Sequence, residues 1–356
     1  MKNRYKPMHR HLLAILMLPL FVLVGGCGSS SEAPVIDASF DEDNAQPTNE
    51  VNVGSGITEQ ANYTYEVIRD ITYAKGSSHS SWNSDETQVI ELKLDIYQTS
   101  NQSSQKPVVV FIHGGGFQSG DKATSHAAAL VGYFAERGFI GISINYRLEG
   151  DYGTLPTELV NAIDRLPDLD EASRNQIKAI YPATRDAKAA IRWIYAHAET
   201  FGIDTNFITA IGGSAGSFIS MGLGVSEPED YTNEISGSFD TTLSSTHLDY
   251  PSKIHTIIDH WGGTGVLSLL EIAYGLGRWD SSDAPVSIVH GTEDTVVPFS
   301  EAEAIKAYYE TNGVPFQFYP LEGIGHSAWS ATVEGKGLPE LAFDFIVQIQ
   351  NITVAD

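Results

Sequence analysis

From Tyr63 onward the hydrophobic and polar positions fall into two strand patterns and one helical pattern. The stretches "YTYEVIRDITY" and "VIELKLDIY" alternate, with Ile90, Leu92, Leu94 and Ile96 sharing one face, and this predicts antiparallel strands near a sheet edge. "PVVVFIHGG" and "FIGISINY" are instead unbroken apolar runs, the pattern of central parallel strands covered on both faces. Between them "ATSHAAALVGYFAERG" reads as a helix closed by Gly138, which makes a β-α-β unit.

The order then repeats. "RDAKAAIRWIYAHAETFG", "SAGSFISMGLGV", "SEAEAIKAYYETNG" and "LPELAFDFIVQIQN" are predicted helices, and "FITAIGG", "KIHTIIDHW", "APVSIVHG" and "PFQFYPLEG" are predicted strands. Strands alternating with helices of this length predict an α/β domain of three layers, an open parallel-rich sheet with helices on both faces. Two segments break the alternation. Glu149 to Pro182 separates a strand from its helix by over thirty residues, far beyond an ordinary βα connection, and Ser226 to Ser252 is a second insertion. Insertions in such sheets tend to sit over the C-terminal strand edge where ligands bind, so each is read as a partial lid or a surface addition.

Ahead of this pattern the chain is different. Lys2, Arg4, Lys6 and Arg10 precede an apolar run from Leu12 to Val24, too short to span a bilayer comfortably and ordered like an export signal. The run stops at "VGGC", and Cys27 is the one cysteine in the chain, so no internal disulfide is available. This resembles a bacterial lipoprotein signal, over residues 1–26, in which Cys27 is lipidated and becomes the mature N-terminus. Ordinary secretion to the periplasm or beyond, with a free Cys27, is the alternative. Residues 27–60 are polar, acidic and poor in aromatics, and are predicted to be a flexible tether; 61–356 is then the folded domain. The expected location is the bacterial cell envelope, anchored through the lipid, with the outer membrane favoured.

The formal charge is −24, and removal of a signal that carries four cations and no acid deepens it to −28. Nucleic acid and anionic membrane surfaces would repel such a body, which argues against both as partners of the folded domain.

Candidate chemistry begins at "AIGGSAGSF", where Gly212, Ser214 and Gly216 make a Gly-x-Ser-x-Gly frame between a predicted strand and a predicted helix. A serine hydroxyl is a weak nucleophile without a base to take its proton, and the base in turn needs a carboxylate to orient it. Of the 11 histidines, His326 in "LEGIGHSAW" follows the last predicted strand on a loop at the sheet's C-terminal edge, whereas His260 and His290 end strands and read as supporting residues. The acid is expected between serine and histidine in the chain. "SIVHGTEDTVVP" offers Asp294 and its neighbour Glu293 just beyond a strand end. A fourth feature is "FIHGGGFQSGD": His113 and the glycines 114–116 follow a strand, and three glycines let backbone N–H groups turn toward a developing negative charge. No Lys-Ser/Thr pair and no Gly-x-Gly-x-x-Gly frame accompany it, which argues against nucleotide binding.

Taken together, "HGGGF", "NYRL", "DAKAAIRWI", "GGSAG", "HGTEDTVVPF" and "EGIGHS" resemble the α/β-hydrolase superfamily, over about Tyr63 to Asn351. The nearest branch is the carboxylesterases similar to hormone-sensitive lipase and to feruloyl esterases. The resemblance implies a mostly parallel eight-stranded sheet whose second strand is antiparallel, with no metal and no organic cofactor. It implies Ser214 as nucleophile, Asp294 as acid and His326 as base, with the amides of Gly115, Gly116 and Ala215 as the oxyanion hole. Asp186 and Arg147 match family positions that are more often structural than catalytic. Phe117, Tyr152, Trp261, Tyr274 and Trp329 are aromatic candidates near the pocket, with Phe117, Trp261 and Trp329 taken as substrate-binding. Three departures stand out: Gly213 where relatives frequently carry glutamate, Ser217 where glycine is common, and "HWGGTGV" after the sixth strand of the family pattern.

The activity implied is hydrolysis of small short-chain or aromatic carboxylic esters through an acyl-enzyme. A serine peptidase of the prolyl-oligopeptidase type, which shares the Ser, Asp, His order, is the first alternative. A catalytically silent surface-binding fold is the second.

Overall fold

The computed structural model describes residues 56–355. In chain order the strands are β1 (Ile57–Thr58), β2 (Tyr65–His79), β3 (Thr87–Thr99), β4 (Lys106–Ile112), β5 (Ile140–Ile144), β6 (Ile203–Gly213), β7 (Thr256–His260), β8 (Val286–Gly291) and β9 (Phe316–Leu321). A small hairpin, β10 (Thr332–Val333) and β11 (Lys336–Gly337), and a final strand β12 (Val354–Ala355) complete the set. Eight of them form one sheet in the order β2-β3-β5-β4-β6-β7-β8-β9. β3 runs antiparallel to both its neighbours, and every pair from β5 across to β9 is parallel.

The unbroken apolar runs are explained by the layers. Val108, Val110 and Ile112 of β4 point into one core, with Ile177 to Ile194, Phe218 to Val225 and Val266 to Leu270 from the helices on that face. Val109 and Phe111 point into the other, with Leu130, Phe134, Phe343 and Ile346 from helices Ser125–Ala135 and Leu338–Ile349. A strand with both faces covered has no position for a polar residue to escape to.

The folded body starts earlier than the sequence reading placed it. Ile57 and Thr58, assigned to the tether, pair in parallel with Val354 and Ala355, and Ile57 is buried against Ile352 and Phe139 in the second core. Two residues are too few for periodicity to register them. The predicted export signal, Cys27 and the predicted tether up to residue 55 lie outside the described residues.

The segment from Glu149 to Pro182 is only half an insertion. Helix Thr157–Asp164 packs on helix Gly265–Tyr274, a helix that the sequence reading passed over. From Glu171 the chain already belongs to the helix that carries "DAKAAIRWI", a single element of 26 residues, Glu171–Ala196, with Asp170 capping its first turn. Pro182 sits inside it, packed close against the backbone at Gly153. A proline normally ends a helix, and here the contacts of the buried middle of the helix, Ala179 to Ile194, carry it through.

Two buried polar ties fasten helices to the sheet. Arg147, just after β5, donates from Nη2 (2.6 Å) and Nε (2.9 Å) to the Asp186 carboxylate, and from Nη1 to Ser77 O on β2. The pair is nearly solvent-free. The second tie is Asp259 at the end of β7, which accepts from the Ser217 hydroxyl and, at 3.2 Å, from the Gly262 amide. Ser217 thus occupies a glycine position of related sequences because a carboxylate waits for its hydroxyl.

Burial pushes the Asp259 carboxyl up to about 6, against the opposing effects of the Ser217 hydrogen bond, His290 and the Gly262 amide. Its proton is therefore held in the folded state up to about pH 6 and lost near the ordinary carboxylate value in the unfolded chain. Between these two pH values the folded form binds more protons, so stability falls as pH rises. Asp259→Asn should remove that part of the slope, gaining on the order of 2 kcal/mol relative to wild type between pH 4 and pH 8. Urea unfolding of both proteins at the two pH values measures it; parallel stability–pH curves would reject the assignment.

Candidate active site

The loops after β4, β6, β8 and β9 meet above the C-terminal edge of the sheet. β6 ends at Gly213, helix Ala215–Val225 begins at Ala215, and Ser214 is the single residue between them. Its backbone sits at φ 55° and ψ −123°, a conformation that costs an L-residue about 1–3 kcal/mol and points the side chain away from the sheet. Close packing enforces it. A Cβ on Gly216 would lie 2.0 Å from Ile112 O of β4, and one on Gly212 would lie 2.1 Å from the Gly216 carbonyl carbon. The Ser214 amide donates to His260 O at 2.9 Å, which pins the turn to β7.

Gly213, where related sequences often place a carboxylate, is also explained by space. A Cβ there would fall 2.6 Å from Cζ2 of Trp329. The indole edge occupies the volume, and Trp329 in turn stacks on His126 and packs edge-on against Trp261.

His326 comes from the loop after β9 and lies between Ser214 and Asp294. Its Nδ1 is 2.7 Å from Asp294 Oδ2 and its Nε2 is 2.9 Å from Ser214 Oγ. A carboxylate accepts only, so Nδ1 carries the proton and Nε2 is left to accept from the serine hydroxyl. Asp294 is held on its other oxygen by the amides of Val296 (2.8 Å) and Val297 (2.9 Å). Burial by itself would raise its pKa, but hydrogen bonds from His290 and His326, and then the Val296 amide, hold it well below the usual carboxylate range. Glu293, the competing carboxylate, is exposed; its amide donates to Ile324 O and so ties the acid loop to the histidine loop.

The glycine loop lies alongside. Gly115 and Gly116 have φ of 116° and 62°, and a Cβ on Gly115 would lie 2.1 Å from Ser119 O. A Cβ on Gly114 would be 3.4 Å from the Ser214 Cβ, so the loop passes directly beside the serine. Gly116, Ser214 and Ala215 line one pocket. His113 supports the loop from below, with its ring stacked on Tyr146 at 4.3 Å, its Nδ1 donating to Gly114 O and its own carbonyl accepting from the Tyr146 hydroxyl. Burial lowers its pKa and favours the neutral ring.

The aromatic candidates divide. Phe117 lines the pocket with Gln176, Ile177, Ile180, Phe218 and Val297. Trp261 and Trp329 do not line it. They pack with Val289, Leu321, Leu338 and Leu341 behind the histidine loop, with Trp261 fully buried. Tyr152 packs edge-on against Trp82, and Tyr274 ends helix Gly265–Tyr274; neither lines the pocket. The pocket residues that sequence reasoning missed come mainly from the first half of helix Glu171–Ala196. Ile177 and Ile180 are three apart in "NQIKAIY", a helical spacing that was visible, but nothing in it says which cavity that face meets. Gln176 also anchors the glycine loop, donating to Gly116 O at 2.8 Å. Among the described residues no three His, Cys, Asp or Glu side chains gather as a metal ligand set.

A hydroxyl hydrogen-bonded to an imidazole, and an imidazole held by a carboxylate, can together attack a carbonyl, and the glycine loop beside the serine has the backbone freedom to offer amides to the resulting oxyanion.

Comparison with known proteins finds esterases and related hydrolases. A model of the carboxylesterase family matches residues 91–238, and one of the prolyl oligopeptidase family matches residues 181–352. The chain is 23% identical over 259 residues to esterase LipC of Mycobacterium tuberculosis, a match that takes in 65% of this chain and 56% of that one. It is 24% identical over 263 residues to versiconal hemiacetal acetate esterase of Dothistroma septosporum, covering 67% of this chain and 71% of the relative. A third relative, isoprenylcysteine alpha-carbonyl methylesterase of Arabidopsis thaliana, is matched over 58% of its length, so the chain spans little more than half of some of these proteins. Among solved structures, propionate-bound esterase 2 of Thermogutta terrifontis superposes with a TM-score of 0.56 at 22% identity, over 82% of this chain and 97% of that one. A truncated carbohydrate esterase from gut microbiota superposes at 0.55 and 19% identity, over 83% and 99%. Sheet order, elbow and structural likeness lead to one conclusion: the chain has an α/β-hydrolase fold.

Proposed function

We propose that the protein is a serine carboxylic-ester hydrolase that takes esters of short acyl groups. The observation that carries the reading is the continuous hydrogen-bonded run from Ser214 Oγ through His326 to Asp294, beside the glycine loop. Ser214 attacks the ester carbonyl as His326 Nε2 takes its proton, and Asp294 stabilises the imidazolium that forms. The amides of Gly115, Gly116 and Ala215 receive the oxyanion; each such donor contributes roughly 3 kcal/mol to the barrier reduction. His326 returns the proton to the leaving alcohol, and water repeats the sequence on the acyl-enzyme.

Short acyl groups are favoured by the pocket beside Ser214, whose walls are Phe117, Ile177, Ile180, Phe218 and Val297. These are large side chains, and Ile180 and Phe218 belong to the packed core, so the apolar end of the site is shallow and closed.

A second reading, a peptidase of the prolyl-oligopeptidase type, is favoured by the family match over residues 181–352. The two share nucleophile and base and differ in the bond they cleave, so matched ester and amide substrates separate them. Anchoring through a lipidated Cys27 is also proposed, on the strength of the signal-like N-terminus; labelled palmitate incorporated by wild type and lost in Cys27→Ser supports it, and none in wild type rejects it.

Ser214→Ala should lower kcat on p-nitrophenyl butyrate by roughly 10⁴–10⁶ with little change in KM. Wild-type turnover in that variant, or amide hydrolysis exceeding ester hydrolysis in the parent, overturns the esterase reading. Ile180→Ala should deepen the pocket and raise the ratio of kcat/KM for octanoyl over acetyl esters about tenfold, since each added methylene that finds apolar contact is worth roughly 1–3 kcal/mol. An unchanged ratio would place the acyl group elsewhere.

A further inference from the structure

We propose that His290 is a positioning residue for the acid of this site: from the sheet side it grips the Asp294 turn and shares the oxygen that Asp294 offers to His326. The geometry stands on its own, and only the kinetic arm of the test rests on the serine-hydrolase reading above.

His290 is the penultimate residue of β8 and is fully buried. Its Nε2 is 2.9 Å from Val297 O and 3.3 Å from Asp294 Oδ2. Both atoms are acceptors only, so Nε2 must carry a proton. A ring of contacts follows. Nε2–H donates to Val297 O, the Val297 amide donates to Asp294 Oδ1, and Asp294 Oδ2 lies between the two imidazoles, 2.7 Å from His326 Nδ1. The carboxylate is thereby prevented from turning about its Cβ–Cγ bond. Because His290 draws on the same oxygen as His326, it also moderates how strongly that oxygen attracts the His326 proton.

The groups facing His290 come from every neighbouring element. Asp294 and His326 come from the loops after β8 and β9. Asp259 lies on the same sheet face in the adjacent strand β7, opposite Ile288 in register. Glu301, from helix Ser300–Asn312, acts on Asp259 from beyond it. The ring of Phe299 packs edge-on at 5.9 Å. His290 Nδ1 and Asp259 Oδ2 are both buried without a hydrogen-bond partner. The outer side of the ring therefore faces a carboxylate and the inner side grips the acid of the site.

Loss of the His290 donor frees Asp294 Oδ2 to interact with the His326 imidazolium alone. The titration of His326 then moves to higher pH, and the loosened turn slows the chemical step.

Ring-¹⁵N histidine NMR of the wild-type chain should show His290 Nε2 protonated throughout the range in which His326 titrates; a bare Nε2 overturns the proposal. In His290→Phe the His326 titration followed by NMR should move up by about half a pH unit, and kcat on a short-chain ester should fall about tenfold at unchanged KM. His290→Gln, whose amide nitrogen falls near the place of Nε2, should restore most of both. His290→Asn, too short to reach Val297 O, replaces the Phe variant if that one fails to fold. An unmoved His326 titration with only a lowered melting temperature, equal in the Gln and Phe or Asn variants, would make His290 a packing residue and reject the proposal. If wild type hydrolyses no ester, the functional reading falls while the NMR titration still decides this one.

Discussion

The contact on which the site depends is the approach of helix Ala215–Val225 to strand β4, so close that only hydrogen fits between Gly216 and Ile112 O. That approach leaves one residue to turn the chain from strand to helix, and the residue is Ser214 in a backbone conformation that ordinary side chains avoid. The strain is offset by the surrounding sheet, through the His260 carbonyl and the two glycines. In return the hydroxyl is held clear of the sheet, and Ala215 at the helix start lines the same pocket.

Behind the elbow, polar groups buried in the sheet and the flanking loops fix the partners. Asp259 anchors Ser217 and with it the first turn of the helix that follows Ser214. Asp294 is held by two amides and two imidazoles, so its charge persists despite burial. On the other side Trp329 fills the space over Gly213 and carries the loop that bears His326. Two departures from related sequences, glycine at 213 and serine at 217, thus have partners of their own: an indole for one and a carboxylate for the other.

The pocket is built by a helix that extends well beyond the length its sequence motif suggests. By running on through Pro182 to Glu171, it brings Gln176, Ile177 and Ile180 to the glycine loop. The segment that first reads as an insertion therefore supplies one wall of the site, while helix Thr157–Asp164 braces it from outside against helix Gly265–Tyr274.

Periodicity alone determined the three-layer α/β class, since runs such as "PVVVFI" have no other place to go than the middle of a covered sheet. Ser214, Asp294 and His326 were legible because turn glycines and strand ends are local signals, and their order along the chain agrees with a known pattern. Resemblance, not spacing, separated Asp294 from Glu293; the fold separates them by burying one and exposing the other. What only the tertiary structure decided are relations between distant segments. These include the pairing of Ile57–Thr58 with Val354–Ala355, the face of helix Glu171–Ala196 that meets the pocket, the withdrawal of Trp261 and Trp329 behind the histidine loop, and the contact of His290 with Asp294. A local pattern records which face of an element is apolar, and the partner that covers that face is chosen by packing of the whole chain.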